Sequence, residues 1–267
     1  MAQVYDLNNF VIDHVIRGLM TDPKTGEVKW SINQITNPSL SMTMDTSEVV
    51  DALGSTIASF DRAKKCEFSA ENTIPDLSLL AGQNGVEKEV ATEEVPIEVP
   101  AFETITVPAE VSTPVVLAHT PKVIPTQIYM LKGDGTLGEV LAYSASTGAG
   151  KFTYDADTHA ITFPTGTAAG TEYFVQYTYD SKRAVSVSGD AVNYPRAGRF
   201  VMEILGADVC DQSTLIHGYL ILPNAKLDGN VDLGLQTDST HPFKLMAQQA
   251  YCDKQKRLFQ IVIPDEE

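Results

Sequence analysis

Apolar and polar residues alternate along much of this chain with the two-residue period of β-strands. The clearest stretch runs from Thr36 to Gly85. Leu40, Met42 and Met44 alternate with Ser39, Ser41 and Thr43, which predicts a half-buried strand. The polar, acidic segment Asp45–Thr56, with Gly54 near its middle, is expected to be a long loop. The chain then returns as a strand over Ile57–Ala70, where Cys66, Phe68 and Ala70 alternate with Lys65, Glu67 and Ser69. Thr73-Ile74-Pro75-Asp76-Leu77 reads as a helix start. Thr73 can cap, Pro75 suits the first turn, and Asp76 suits the positive end of the helix dipole. Ile74, Leu77, Leu80 and Ala81 would share one helical face, with Gly82 or Gly85 ending the helix.

The rest of the chain reads mainly as strands. Phe10–Met20 is apolar and fits a strand or a short helix. A turn at Asp22–Gly26 leads to alternating Val28, Trp30 and Ile32. Between residues 111 and 182, six short β-prone runs recur at roughly ten-residue spacing, the pattern of a small sandwich. The last is the clearest, with Tyr173, Val175, Tyr177 and Tyr179 on one side. After residue 183 come alternating Phe200, Met202 and Ile204, then the apolar run Leu215–Leu222, then Leu227–Leu235. Phe243–Tyr251, read as a strand from its neighbours, and Leu258–Ile263 follow. The expected fold is all-β: a β-sandwich or barrel-like core with one short helix, plus an inserted small β-sandwich domain. Residues 1–110 and 183–267 would be the two parts of the core, and 111–182 the insert.

Composition changes the picture most at residues 86–110. Seven glutamates stand there against Lys88 alone, with Pro96, Pro100 and Pro108 among Val95, Ile97, Val99 and Phe102. Proline at this density excludes a helix interior and confines strands to edges. The segment is read either as a solvated linker or as an extended acidic arm lying along a neighbouring subunit.

The 267-residue chain carries 19 Lys and Arg against 35 Asp and Glu, a net charge of −16. This argues against tight binding to nucleic acid, which needs clustered basic residues, and against binding an anionic membrane surface. Cys66, Cys210 and Cys252 form no disulfide framework and no metal-binding spacing. The N-terminus lacks the basic start of a secretory signal, and no apolar run is long enough to span a membrane.

Motifs that carry chemistry are absent or better explained as turns. Gly133-Asp134-Gly135-Thr136-Leu137-Gly138 matches a dinucleotide fingerprint in letters. Val140, Leu141 and Tyr143 then continue as a strand where that motif requires a helix, so a hairpin turn is expected. Asp155-Ala156-Asp157-Thr158 lacks the later glycine and glutamate of a calcium loop and reads as a β-turn. The five histidines are scattered, and no nucleophile elbow occurs. No enzyme activity, cofactor or metal is expected. The basic group Arg62, Lys64 and Lys65 follows the acidic loop, so an acidic loop of one subunit could meet a basic strand of the next.

The order of these elements resembles the tail tube proteins of long-tailed bacteriophages. The residues that carry the resemblance are the Ser39–Met44 strand, the Asp45–Thr56 loop, the Ile57–Ala70 strand and the Thr73–Gly82 helix. It implies a two-sheet core assembling into hexameric rings that stack into a tube, with the loop reaching the adjacent ring. It further implies a virion protein made in the host cytoplasm, in contact with other tail proteins, through which DNA passes without specific binding. Residues 111–182 would then be an immunoglobulin-like domain. The inter-subunit contacts expected on this reading are Asp45, Glu48, Asp51, Arg62, Lys64, Lys65, Leu77, Leu80, Val95, Ile97 and Phe102. Other readings are a capsid or baseplate component and a β-sandwich adhesin or glycan-binding module.

Overall fold

The computed structural model describes residues 9–146, 148–249, 254 and 256–264. The chain begins with strands β1 (Phe10–Thr21), β2 (Val28–Ile32), β3 (Ile35–Val50) and β4 (Thr56–Asn72), followed by helix α1 (Leu77–Asn84). Next come β5 (Glu89–Val90), β6 (Ile97–Thr106), β7 (Val115–Val116), β8 (Gln127–Leu131), β9 (Leu137–Tyr143), β10 (Lys151–Asp155), β11 (Ala160–Thr162), β12 (Glu172–Ser181) and β13 (Val185–Ser186). The last are β14 (Ala197–Asp208), β15 (Asp211–Leu227), β16 (His241–Ala247) and β17 (Gln260–Val262). The protein is mostly β. It divides into two compact units, Met1–Lys88 with Val187–Glu267, and Glu89–Ser186.

The first unit is built on one sheet in the order β2-β1-β14-β15-β16-β4-β3, with β17 pairing β15. Phe68 on β4 and Phe200 on β14 lie three strands apart in that order, so a flat sheet would separate them by roughly 14 Å. Their ring centroids are 5.4 Å apart. Trp30 on β2 likewise reaches Phe243 on β16 at 6.1 Å. The sheet therefore curls around these four rings into a nearly closed barrel, which buries Leu79, Ile204, Leu222 and Leu245 with them. Ile35 opens β3 on the core side, and β3 then bulges at Asn37, whose φ is 51°. Pro38 sits at this bulge on an edge strand, where its missing N–H costs no ladder bond.

Helix α1 starts later than expected. Asp76 is its N-cap, and its carboxylate accepts from the Leu79 N–H at 2.7 Å. Thr73 instead donates through both its N–H and its hydroxyl to the Gln34 carbonyl. Leu79, Ala81 and Gln83 are the buried residues of the helix, whereas Leu77 and the preceding Ile74 are exposed. Gly85 ends the helix with φ 72°, and a β-carbon there would sit 2.2 Å from the Tyr194 carbonyl oxygen. Both the left-handed turn and the close approach require glycine.

The second unit has a seven-stranded sheet, β6-β12-β8-β9-β10-β11-β7, and a two-stranded β5–β13 ribbon. Tyr173, Val175 and Tyr177 of β12 point into a core with Ile128, Phe152 and Ile161. The Tyr177 hydroxyl donates to Glu103 and accepts from the His119 N–H. Burial, then the Glu103 carboxylate, pushes its phenol well above the usual range. Here the expectation for residues 86–110 needs revision. Ile97–Thr106 is β6 and pairs with β12 along its whole length, and the unit begins at Glu89, not at 111. Beneath the glutamates lies a period-two pattern in which Ala101 and Ile105 are buried. Pro100 is accommodated because β6 is an edge strand.

The two chemical look-alikes are turns. Gly133–Thr136 joins β8 to β9, with Gly135 at φ 79° and the Asp134 carboxylate accepting from Thr136. Asp155 accepts from the Asp157 N–H between β10 and β11, which lowers its carboxyl below the ordinary range.

Candidate assembly surfaces

The longest paired strands of the first unit form one hairpin, and it differs from the expected loop. Residues 45–50 continue β3, and only residues 51–55 turn. Thr46, Val49, Val50 and Ile57 are strand formers, so the acidic residues between them do not break the ladder. Asp51 builds the turn: its carboxylate accepts from the N–H groups of Leu53 (2.9 Å) and Ser55 (2.8 Å), and Gly54 supplies φ 86°.

The hairpin outgrows its sheet. Its last pair with β16 is Ala247–Cys66. Beyond it, Thr43–Val50 and Thr56–Lys65 have only each other among the described residues. At the usual rise this two-stranded part extends roughly 25 Å. A lone hairpin of two strands is marginal in water, and both its edges offer unpaired N–H and C=O groups. It also exposes Met42, Met44, Val49, Val50, Ile57, Phe60 (53 %) and, at the turn, Leu53 (92 %). None of these residues is among the individual contacts expected from the sequence, although Val49, Val50 and Leu53 lie in the segment Asp45–Thr56 expected to reach the adjacent ring. The signal was a β-prone Val-Val and Thr-Ile flanking an Asp/Gly turn.

The charged residues picked from the sequence lie on this hairpin, where several have local duties. Asp45 forms an ion pair with Lys65 of the same hairpin at 3.3 Å. Both ends are exposed, so the pair contributes at most about 1 kcal/mol. Glu48 accepts from the Thr56 hydroxyl at 3.1 Å. Arg62 stands opposite Asp45 in the register, and Lys64 lies beside it at a β-bulge. The acid and base offered as partners between subunits thus meet within one chain.

Leu77 and Leu80 lie on α1, Leu77 exposed and Leu80 half-buried. The helix is fixed from beneath by His241, which is fully buried. Its Nδ1 accepts from the Asp76 N–H at 3.3 Å, so Nε2 carries the proton and donates to Gln83 Oε1 at 2.7 Å. Burial pushes the imidazole below its ordinary range, against a smaller opposing pull from Asp76. Val95, Ile97 and Phe102 belong to the second unit. Phe102 is 63 % exposed and stacks on Phe174 at 6.0 Å across the outer side of β6 and β12.

Among the described residues, no group of three or more His, Cys, Asp or Glu could hold a metal ion, and no helix is long and apolar enough to cross a membrane. Cys66 is buried and Cys210 exposed, both as free thiols; Cys252, Ala250 and Tyr251 lie outside the described residues. Comparison with curated proteins finds no match. The YomU/Tube protein family matches residues 10–257, which takes in the hairpin, the helix, the whole second unit and the first unit from β1 to β16. The chain belongs to the YomU/Tube protein family, in agreement with the tail tube proteins that it resembles in sequence.

Proposed function

We propose that this protein is the subunit of a phage tail tube, which polymerises into stacked, hexameric rings around a channel for DNA ejection. The observation that carries the reading is the outer hairpin, with two unpaired edges and exposed apolar residues on a segment roughly 25 Å long. Such a surface is stable in water when another chain covers it, and in a tube the available chain is a second copy. The exposed edges β2 and β3 of the curled sheet are the natural places for ring neighbours to pair, which would remove both edges at once. The net charge of −16 suits a conduit. An acidic wall lets a polyanion slide, whereas a basic one would hold it through many phosphate contacts. On this reading the protein works by assembly in the virion, needs no cofactor, and touches other tail proteins at the tube ends.

Negative-stain electron microscopy of the purified chain, over a range of protein and salt concentrations, tests this. Rings or hollow tubes with a bore wide enough for duplex DNA are expected. A chain that stays monomeric at all concentrations, even when seeded with preformed tail ends, overturns it.

A further inference from the structure

On β4 the inner apolar residues Cys66 and Phe68 and the outer ones Ala58 and Phe60 lie on opposite sides of the hairpin. In the inner half Leu40 pairs with Phe68 and Met42 with Cys66. Cys66 and Phe68 are buried, which marks this as the core side. Alternation along β3 is unbroken from Leu40 to Val50, so Thr46, Glu48 and Val50 also lie on the core side. On β4 the phase changes. Thr43 pairs with Lys65, yet Asp45 pairs with Arg62. Two steps on β3 are matched by three on β4, and within the extra span Ala63 takes φ 48°. A one-residue offset of this kind moves the side chains after it to the other side, until a second offset between the pairs Val49–Ala58 and Val50–Thr56 restores the first phase at Thr56.

Phe60 and Ala58, which share residue parity with Phe68 and Cys66, are therefore turned away from the core. They stand opposite Ser47 and Val49. The hydrogen bonds agree with this assignment. On the core side the Thr46 hydroxyl donates to Asp61 at 3.0 Å and the Thr56 hydroxyl to Glu48 at 3.1 Å. On the far side Asp45 meets Lys65. The outer half thus has one side toward the core, where Met44 and Val50 stand apart among the hydrogen-bonded Thr46, Glu48 and Asp61, and a side away from it where Val49, Ala58 and Phe60 adjoin.

We propose that the side formed by Val49, Ala58 and Phe60, set by the one-residue offset at Ala63, is the face by which the hairpin grips a second copy of this chain. The opposite side, where carboxylates separate Met44 from Val50, lies outside this contact. This rests on the reading of the hairpin as a contact between copies. A second copy fits because Arg62 borders the apolar cluster on the same side, where Asp45 is taken up by Lys65, and a chain with 35 acidic against 19 basic residues offers carboxylates to it.

Four variants test the proposal, read by sedimentation and negative stain for assembly and by circular dichroism for folding. Exchanging two neighbours, Ser59→Phe with Phe60→Ser, keeps composition but puts the ring on the carboxylate side. The onset concentration for assembly should rise at least tenfold. Deleting Ala63 straightens β4 yet leaves Phe60 facing away from the core, and Ala63→Gly keeps the bulge, so both should assemble as the natural chain does. If the exchange assembles normally, or if the folded deletion variant does not assemble, the proposal is overturned. In the fourth variant an Asn-Gly turn replaces residues 46–61. Normal assembly of that chain removes the hairpin from the interface and overturns the broader reading too. Loss of assembly there, with a normal exchange variant, overturns this inference alone.

Discussion

His241 is held neutral by its surroundings, because one ring nitrogen must accept from the helix N-terminus while the other donates to Gln83. Its folded pKa is lowered, so the unfolded chain takes up a proton more readily. The contribution to stability is complete above the unfolded value of about 6.5 and is lost as pH falls through the lower folded value. Thermal melts between pH 8 and 5 should show the natural chain losing more stability on acidification than His241→Gln. The variant is less stable at neutral pH but has a flatter profile; parallel profiles would refute this. In the core, Phe68 touches both Phe200 and Phe243. Phe68→Ala should cost about 3–5 kcal/mol in urea unfolding. Phe68 was legible as a core residue from alternation alone. The role of His241 was not, because its partners lie 158 and 165 residues away in the chain and no local pattern announces them.

At the scale of elements, the existence of most strands was legible and their extent was not; Leu227–Leu235, expected to alternate as a strand, forms none beyond the end of β15 at Leu227. Leu40, Met42 and Met44 announce β3, but the acidic residues after them read as loop, since charge is the usual mark of a solvated connection. Pairing with β4 overrides that mark, because exposed strand positions accept Asp45 and Glu48 without cost. The helix shows the reverse case. Thr73 and Asp76 are both competent caps, and the choice of Asp76 follows from Thr73 being engaged by Gln34 across the chain. Asp51 belongs to the turn, so Asp51→Ala should lower stability by about 1 kcal/mol through its two lost bonds to backbone N–H groups. Circular dichroism melts check that value. For the proposed assembly surface, Val49→Asp should abolish tubes while leaving the melting temperature within a degree or two, because Val49 is exposed and stands outside the core cluster. A large drop in melting temperature would show that the residue serves the fold instead.

For the whole molecule, the ends of the second unit lie side by side, since Glu89 and Ser186 are paired in the β5–β13 ribbon. Joining Lys88 to Val187 through one or two glycines should therefore remove that unit and leave the first folded. Its separate core also predicts that the full chain melts in two calorimetric transitions, one of which disappears in the shortened chain. A single unchanged transition would contradict this. At net −16 the copies repel one another, so the onset concentration for assembly should fall as salt rises toward ~0.15 M, where the screening length is about 8 Å. Alternating Val99, Ala101 and Ile105 could have revealed β6. Counting glutamates and prolines hid it, since composition records how often residues occur and a strand depends on which side they occupy.

In the proposed tube, the overhanging hairpin also sets a clock for the free subunit. Each dissolved copy carries strand edges and apolar side chains that can join wrongly to any other copy, at a rate that grows with the square of the free concentration. Addition to a growing end grows only with the first power. Fidelity therefore favours a dilute pool that is consumed as fast as it is made. On the proposed assembly, the timing of synthesis, as much as the shape of the contact, decides whether these chains become a tube or a precipitate.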